Sequence, residues 1–272
     1  MSRLDDTFAG LRVRGSTGLI AYVTAGDPDF ARSASVLRAL DRAGADVIEV
    51  GVPFSDPVAD GPVIERAVER ARAAGGTLAA TLELVTTVRP TIQAPIVLFS
   101  YVNPLLAMGE GAFAERAARA GVDGVLVLDL PVEEADTFRA TVSSAGIDMI
   151  FLLSPTTTDE RIQRAAALGR GFLYAISRLG VTGARDTLPE GARGLVARIR
   201  ARTTLPIALG FGLSRPEHVR QAGAWADAAV VGSALVSVIA EAADAPDLGA
   251  RVEQYVRWLK GADVSAATTG HV

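Results

Sequence analysis

One phrase recurs along this chain and limits what it can fold into. Arg-Ala-Gly44-Ala-Asp-Val-Ile returns as Arg-Ala-Gly121-Val-Asp-Gly-Val and as Ser-Ala-Gly146-Ile-Asp-Met-Ile, with weaker echoes at Ala-Leu-Gly169 and Gln-Ala-Gly223. Each glycine follows a helical pattern and precedes an apolar run. The phrase reads as a helix ended by a left-handed glycine, then a short turn into a buried strand. Helix starts are marked as well. Asp27-Pro28 reads as an N-cap with a first-turn proline, and Thr157…Glu160 and Ser214…Glu217 read as capping boxes.

Strands are then expected at 18–24, 47–51, 95–101, 124–128, 148–153, 171–175, 205–210 and 227–231. Helical patterns separate them, with apolar spacing such as Phe30, Ala34, Leu37 and Leu40. Eight strands alternating with helices over about 250 residues indicate a (β/α)8 barrel, with a doubly wound open sheet as the alternative. No linker or composition shift divides the chain. The expectation is one domain over residues 1–261 and a disordered tail over 262–272.

Composition narrows the chemistry. The chain has a net charge of −4 and so no basic footprint for nucleic acid. It has no cysteine, which removes thiolate metal sites and cysteine nucleophiles together. The only histidines are His218 and His271, and the only lysine is Lys260, near the end of the last helical stretch. Neither a histidine metal cluster nor a well-placed Schiff-base lysine can be assembled. The start, Met1-Ser-Arg-Leu-Asp-Asp6, lacks the apolar core of a signal peptide. The uncharged run Pro90–Gly109 carries Pro90, Pro95, Pro104, Gln93 and Asn103, so it reads as a buried strand and loop, not a membrane span. A soluble, cytoplasmic protein is expected, working with carboxylates, hydroxyls, arginines and backbone.

Such barrels keep their active sites at the C-terminal ends of the strands and in the loops that follow. Glu49 ends strand 2, between Ile48 and Val50, and Val52–Pro62 is the loop after it. Glu49 is either an inward carboxylate satisfied by backbone or arginine, or a functional group whose burial is otherwise costly. Asp60, before Gly61-Pro62, is either a helix N-cap or a second functional carboxylate. Asp56, before Pro57, reads as a loop-shaping residue on the rim.

Three glycine-bearing turns follow later strands: Gly180-Val-Thr-Gly183, Gly210-Phe-Gly212 and Gly232-Ser233. Together, ending where a helix begins at Ser233, they suit a phosphate held by backbone N–H groups and a helix N-terminus. Between carboxylates and phosphate cradle, Tyr22, Leu98, Tyr101, Leu126, Leu152, Tyr174 and Phe211 lie at or near strand ends. Most can be core; some could line a slot for a flat aromatic group.

With these residues in view, the chain resembles the α subunit of tryptophan synthase. The resemblance rests on Pro53-Phe-Ser-Asp-Pro-Val-Ala-Asp-Gly-Pro62, Tyr101-Val-Asn-Pro104, Asp129-Leu-Pro131, Ser177-Arg-Leu-Gly-Val-Thr-Gly183, Gly210-Phe-Gly212 and Val231-Gly-Ser233. It runs from about Phe8 to Lys260. It implies an α/β fold, a (β/α)8 TIM barrel with extra N-terminal and loop helices. It also implies retro-aldol cleavage of indole-3-glycerol phosphate to indole and glyceraldehyde 3-phosphate. By similarity Glu49 and Asp60 are catalytic. Tyr22, Tyr101, Leu126, Tyr174, Thr182 and Phe211 surround the substrate, and Gly183, Gly212, Gly232 and Ser233 hold the phosphate. The resemblance further implies an α2β2 assembly in which Pro53, Asp56, Asn103, Asp129 and Pro131 face a β subunit. That subunit receives the indole and carries pyridoxal phosphate; no cofactor and no metal are expected in this chain.

The residue chemistry fits independently. Protonating C3 of an indole ring creates an iminium that accepts the electrons of the breaking bond, so neither imine nor metal is needed. Glu49 can serve as acid and then base, and Asp60 can stabilise charge at the ring nitrogen. A free-standing lyase, a catalytically silent barrel that activates a partner, and another phosphate-binding barrel enzyme such as a phosphosugar isomerase are the rival readings.

Overall fold

The structure, a computed structural model, describes residues 1–176, 190–210 and 212–262. Its elements run α1 (Arg3–Arg14), β1 (Gly18–Thr24), α2 (Phe30–Arg42), β2 (Val47–Gly51), α3 (Pro62–Ala73), α4 (Leu78–Val88), β3 (Ile96–Ser100), α5 (Val102–Met108), α6 (Glu110–Ala120) and β4 (Gly124–Val127). They continue α7 (Asp136–Ser144), β5 (Asp148–Leu153), α8 (Asp159–Leu168), β6 (Leu173–Ile176), α9 (Glu190–Arg200), β7 (Ile207–Gly210), α10 (Pro216–Gly223), β8 (Ala228–Val231), α11 (Ser233–Glu241) and α12 (Leu248–Leu259). The strands pair in parallel from β1 round to β8, and β8 pairs back onto β1, which closes the barrel and removes the open-sheet alternative. All eight expected strands are present, each boundary within two residues of expectation. Among the described residues no helix is long and apolar enough to cross a membrane. The run at 90–109 forms β3 and then, where a loop was expected, helix α5.

The recurring glycines act as the sequence suggests at three places. Gly44, Gly121 and Gly146 have φ of 84°, 86° and 80°, the region in which a side chain is strained. The weaker echoes do not: Gly169 leaves α8 in an extended conformation, and Gly223 is the last residue of α10. A Cβ at Gly223 would collide with the Thr17 side chain, so close approach explains this glycine.

Two cores flank the strand layer. Residues pointing outward, such as Ile48 and Val50 of β2, join the helices in the larger core. Inward residues, among them Ile20, Val47, Val97, Leu126 and Ile150, fill the barrel, and Leu4, Phe8 and Leu11 of α1 plug its N-terminal end. The Phe8 ring lies 5.6 Å from that of Phe172.

The aspartate of the repeated phrase has a role the pattern alone does not reveal. Asp46 and Asp123, and likewise Asp227, which stands four residues after Gly223 and not two, each accept the backbone N–H at the start of the preceding strand, from Leu19, Ile96 and Ile207, all at 2.8 Å. The fourth, Asp148, accepts the Ser2 hydroxyl at 2.6 Å and ties α1 to the barrel. These carboxylates satisfy donors at the N-terminal rim, the end of such barrels where stability is built.

Three capping expectations shift. Asp27 is 2% exposed and is drawn into a bidentate ion pair with Arg70 of α3, at 2.7 and 3.0 Å, so Asp29 caps α2 instead. Thr158, one residue beyond Thr157, caps α8 by accepting the Arg161 N–H. At α10 the expected Ser214…Glu217 box is absent, because the Ser214 N–H is taken by the His218 ring.

Candidate active site

Alternation along β2 places Val47 and Glu49 inside the barrel and Ile48 and Val50 outside. Glu49 is 0% exposed, and neither carboxyl oxygen has a hydrogen-bond partner in the protein. The bland reading, a carboxylate satisfied by backbone or arginine, does not hold. Burial alone pushes its pKa up to about 8, so the group is a neutral acid at neutral pH.

Asp60 lies in the loop between β2 and α3. It is not the cap of α3: Gly61 holds that position, with Pro62 in the first turn, and the Asp60 carboxyl lies instead within reach of the Tyr101 hydroxyl and close enough to Tyr22 to act on it electrostatically. Its pKa rises to about 6, through burial first and then the charge of Glu65, against a hydrogen bond from Tyr101. Asp60 is thus an anion under conditions where Glu49 is neutral. Two carboxyl groups held in different protonation states are the pattern of an acid paired with an electrostatic stabiliser.

Tyrosines join them. Tyr22 stands opposite Glu49 in the β1–β2 register. Burial raises its hydroxyl far above the ordinary value, and the charges of Asp60 and then Glu49 add to this, so the three groups share one space. Tyr174 of β6 feels burial first, then Glu49 and Tyr22. Tyr101 precedes α5, and its hydroxyl accepts the Ala59 N–H at 3.1 Å, tying down the loop that carries Asp60. Leu126 is fully buried among the inward side chains.

Several residues were not singled out from the sequence. Phe99 meets Tyr22 edge-on at 5.5 Å between ring centroids, and Phe54 lies against Tyr101 at 5.2 Å. The alternation from Val97 to Phe99 could have identified the first. Gly51 and Gly210 end β2 and β7, and a Cβ at either would collide with the hydroxyl of Tyr22 or Tyr174 respectively. The sequence reading placed Gly210 in a phosphate-side turn and assigned Gly51 no role, so neither close approach was foreseen.

At the phosphate end, Gly210 of β7 pairs with Val230 of β8, so the loops that follow leave the barrel side by side. Gly212 adopts φ of 79°, and Gly232 stands at the N-cap of α11, whose first residue is Ser233. Gly232 lies against the Tyr22 ring, joining this end of the site to the carboxylates. Thr182, Gly183 and Phe211 lie outside the described residues, as does the tail from 263 onward.

Of the expected partner-facing residues, Asp56, Asn103, Asp129 and Pro131 are exposed, and Pro53 is buried close to Gly76. Asp129 also accepts the Val102 N–H at 2.7 Å, which caps α5. Val58 and Leu106 lie on the same rim, 86% and 53% exposed. Lys260 is at the other end of the barrel, donating to the Gly44 carbonyl and to Asp46.

Comparison with known proteins agrees at each level. The sequence profile of the family described as tryptophan synthase alpha chain matches residues 8–262. The tryptophan synthase alpha chain of Solibacter usitatus is 46% identical over 260 residues, 96% of this chain and 97% of that one. That of Citrifermentans bemidjiense is 50% identical over 236 residues, 87% and 88% of the two chains. Among solved structures, tryptophan synthase subunit alpha from Legionella pneumophila superposes with a TM-score of 0.88 at 35% identity, over 96% of this chain and 97% of that one. A chain of Mycobacterium tuberculosis tryptophan synthase gives a TM-score of 0.88 at 37% identity, over 95% and 97%.

Proposed function

The chain belongs to the tryptophan synthase alpha chain family, and from that premise we propose that it cleaves indole-3-glycerol phosphate to indole and glyceraldehyde 3-phosphate. The observation that carries this reading is Glu49: a carboxyl group buried without a partner, neutral at working pH, in the same space as an anionic Asp60.

The reaction proceeds in two proton movements. Glu49 gives its proton to C3 of the indole ring, and the ring becomes an iminium. Asp60 accepts the ring N–H and stabilises the positive charge that develops there. Glu49, now a carboxylate, takes the proton from the glycerol hydroxyl next to the bond that breaks. The C–C bond opens, its electrons return to the ring, the hydroxyl carbon becomes the aldehyde, and Glu49 is protonated again. One residue therefore serves as acid and base, and the cycle calls on no lysine Schiff base, metal or cofactor.

Tyr22, Phe99, Phe54, Tyr101 and Tyr174 offer flat apolar walls to the indole. Gly212, Gly232 and Ser233, with Gly183, form the cradle for the phosphate in this reading, using backbone N–H groups and the start of α11. By the family resemblance, Phe211 and Thr182 count among the residues around the substrate.

We further propose that a tryptophan synthase β subunit docks on the rim that bears Pro53, Asp56, Asn103, Asp129 and Pro131, in an α2β2 assembly in the cytoplasm. That subunit carries the pyridoxal phosphate and takes up the indole. The exposed apolar side chains Val58 and Leu106 on the same rim support this docking. The deciding measurement is indole release from indole-3-glycerol phosphate, with and without β subunit. No indole under either condition would remove the reading, and an unchanged rate on adding β subunit would favour a free-standing lyase.

A further inference from the structure

The loop that leaves β7 on its way to α10 contains Gly212 in a left-handed conformation and Leu213 buried at 2% exposure. Its next residue, Ser214, is held at both backbone polar groups by side chains from outside the loop. The Ser214 N–H donates to Nδ1 of His218 at 3.2 Å, and the Ser214 carbonyl accepts the Tyr255 hydroxyl at 2.9 Å. His218 is on α10 and 2% exposed; Tyr255 is on α12 and half-buried. Burial pushes the Tyr255 hydroxyl up to about 12, so it stays a donor throughout the working range.

This arrangement replaces the capping box that the sequence suggested for α10. A local serine–glutamate cap would fix only the start of the helix. The histidine and tyrosine instead fix the loop between barrel and helix from two directions. Accepting at Nδ1 also sets the imidazole proton on Nε2. Tyr255 belongs to a helix that packs on both α10 and α11. Gly212 precedes α10 and Gly232–Ser233 begins α11, so α12 braces the two halves of the phosphate cradle from behind.

We propose that His218 and Tyr255 are positioning residues for phosphate recognition: together they hold Ser214, and through it the Gly212 backbone, in the geometry that receives the dianion. This rests on the phosphate cradle proposed above. Neither side chain touches the ligand, and neither takes part in proton transfer.

The test is steady-state indole release at varied indole-3-glycerol phosphate, together with inhibition by glycerol 3-phosphate, which carries the phosphate without the ring. His218→Leu keeps the size of the buried side chain and deletes the acceptor. His218→Asn is smaller but places Oδ1 where Nδ1 stood. Stability and recognition should therefore separate. The leucine variant should raise KM and the inhibition constant by about threefold to tenfold, the loss of one hydrogen bond, with kcat within about twofold. The asparagine variant should lower the thermal midpoint yet keep both constants near wild type. Tyr255→Phe should behave like His218→Leu.

Gly212→Asp serves as the control for the cradle and should raise both constants far more. If Gly212→Asp raises them while His218→Leu and Tyr255→Phe do not, the cradle stands and the positioning role is wrong. If His218→Asn is as impaired in KM as His218→Leu, the histidine only packs, which also overturns the proposal. If Gly212→Asp changes neither constant, the cradle itself falls and this inference with it.

Discussion

The N-terminal rim and the interior of the candidate site treat their carboxyl groups in opposite ways. At the N-terminal rim Asp46, Asp123, Asp148 and Asp227 each meet a donor, and Asp46 and Asp123 are further paired with Lys260 and with Arg89 and Arg3. At the C-terminal end Glu49 is buried deeper than any of them and meets none. A satisfied carboxylate contributes to the fold; an unsatisfied one costs stability and is kept for what it does. The same residue chemistry is structural at one rim and, in the proposed reaction, catalytic at the other.

The largest expected effect lies at the unsatisfied end. Glu49→Gln should lower kcat by about 10²–10⁴-fold or more, because the amide cannot cycle a proton. Retention of more than roughly a tenth of the wild-type rate would remove Glu49 from the proton path. Asp60→Asn should lose less, since its amide oxygen still accepts the ring N–H.

The satisfied end should respond in the other currency. Asp123→Ala removes the acceptor of the Ile96 N–H and leaves Arg89, 12% exposed, without its carboxylate. The expected cost is about 2–4 kcal/mol of stability with kcat little changed. Denaturant unfolding and indole release, measured on the same sample, check both halves. A variant as stable as wild type, or one folded but inactive, would break the contrast between the rims.

How much of this was legible in the sequence follows from how local each signal is. Strand positions came through because a left-handed glycine and an apolar run are set by neighbouring residues, as at Gly44 and Gly121. The place of Glu49 at the end of β2, between the apolar Ile48 and Val50, was legible for the same reason. That it has no partner could not be read, because its surroundings come from β1 and β6, distant in sequence. The aspartate of the repeated phrase was visible, but its acceptor role depends on the N–H of a neighbouring strand. The capping boxes at Thr157 and Ser214 failed for a related reason: a competing hydroxyl one residue on, and an imidazole four residues on, decide where the hydrogen bonds go. Asp60 lost its capping role because Gly61 occupies the cap.

Acidity offers a third way to sharpen the comparison. Glu49 ionises near 4.5 when unfolded and near 8 when folded. Between those values the unfolded chain has released the proton and the native chain still holds it, so wild-type stability should fall as pH rises. Glu49→Gln has no such proton, so its stability relative to wild type should rise by on the order of 2 kcal/mol between about pH 5 and about pH 8, after relaxation and water penetration offset part of the full shift. Denaturation midpoints of both proteins across that range test the sign. Parallel curves would mean that Glu49 is not held neutral. In the rate profile, Asp60 should set an acid limb near about 6 and Glu49 an alkaline limb near about 8.

The smallest effect concerns what covers the catalytic rim. The loop bearing Asp60 is tied at Ala59 by the Tyr101 hydroxyl, while Val58 beside it stands 86% exposed. Leu106 of α5 adds a second apolar side chain to that rim, 53% exposed. A β subunit seated there would bury both and bias the Asp60 loop toward one arrangement, raising the competent population without adding a catalytic group. A tenfold activation requires only about 1.4 kcal/mol of bias, well within what burying two such side chains supplies. The cleavage rate should therefore rise by at least about tenfold on titration with β subunit. Leu106→Ser should move the midpoint of that titration to higher β-subunit concentration while the rate of the isolated chain stays as it was, since Leu106 is a solvent-exposed residue of α5 with no assigned part in the reaction. A Leu106→Ser titration that overlays the wild-type curve would place the docking surface elsewhere on the barrel.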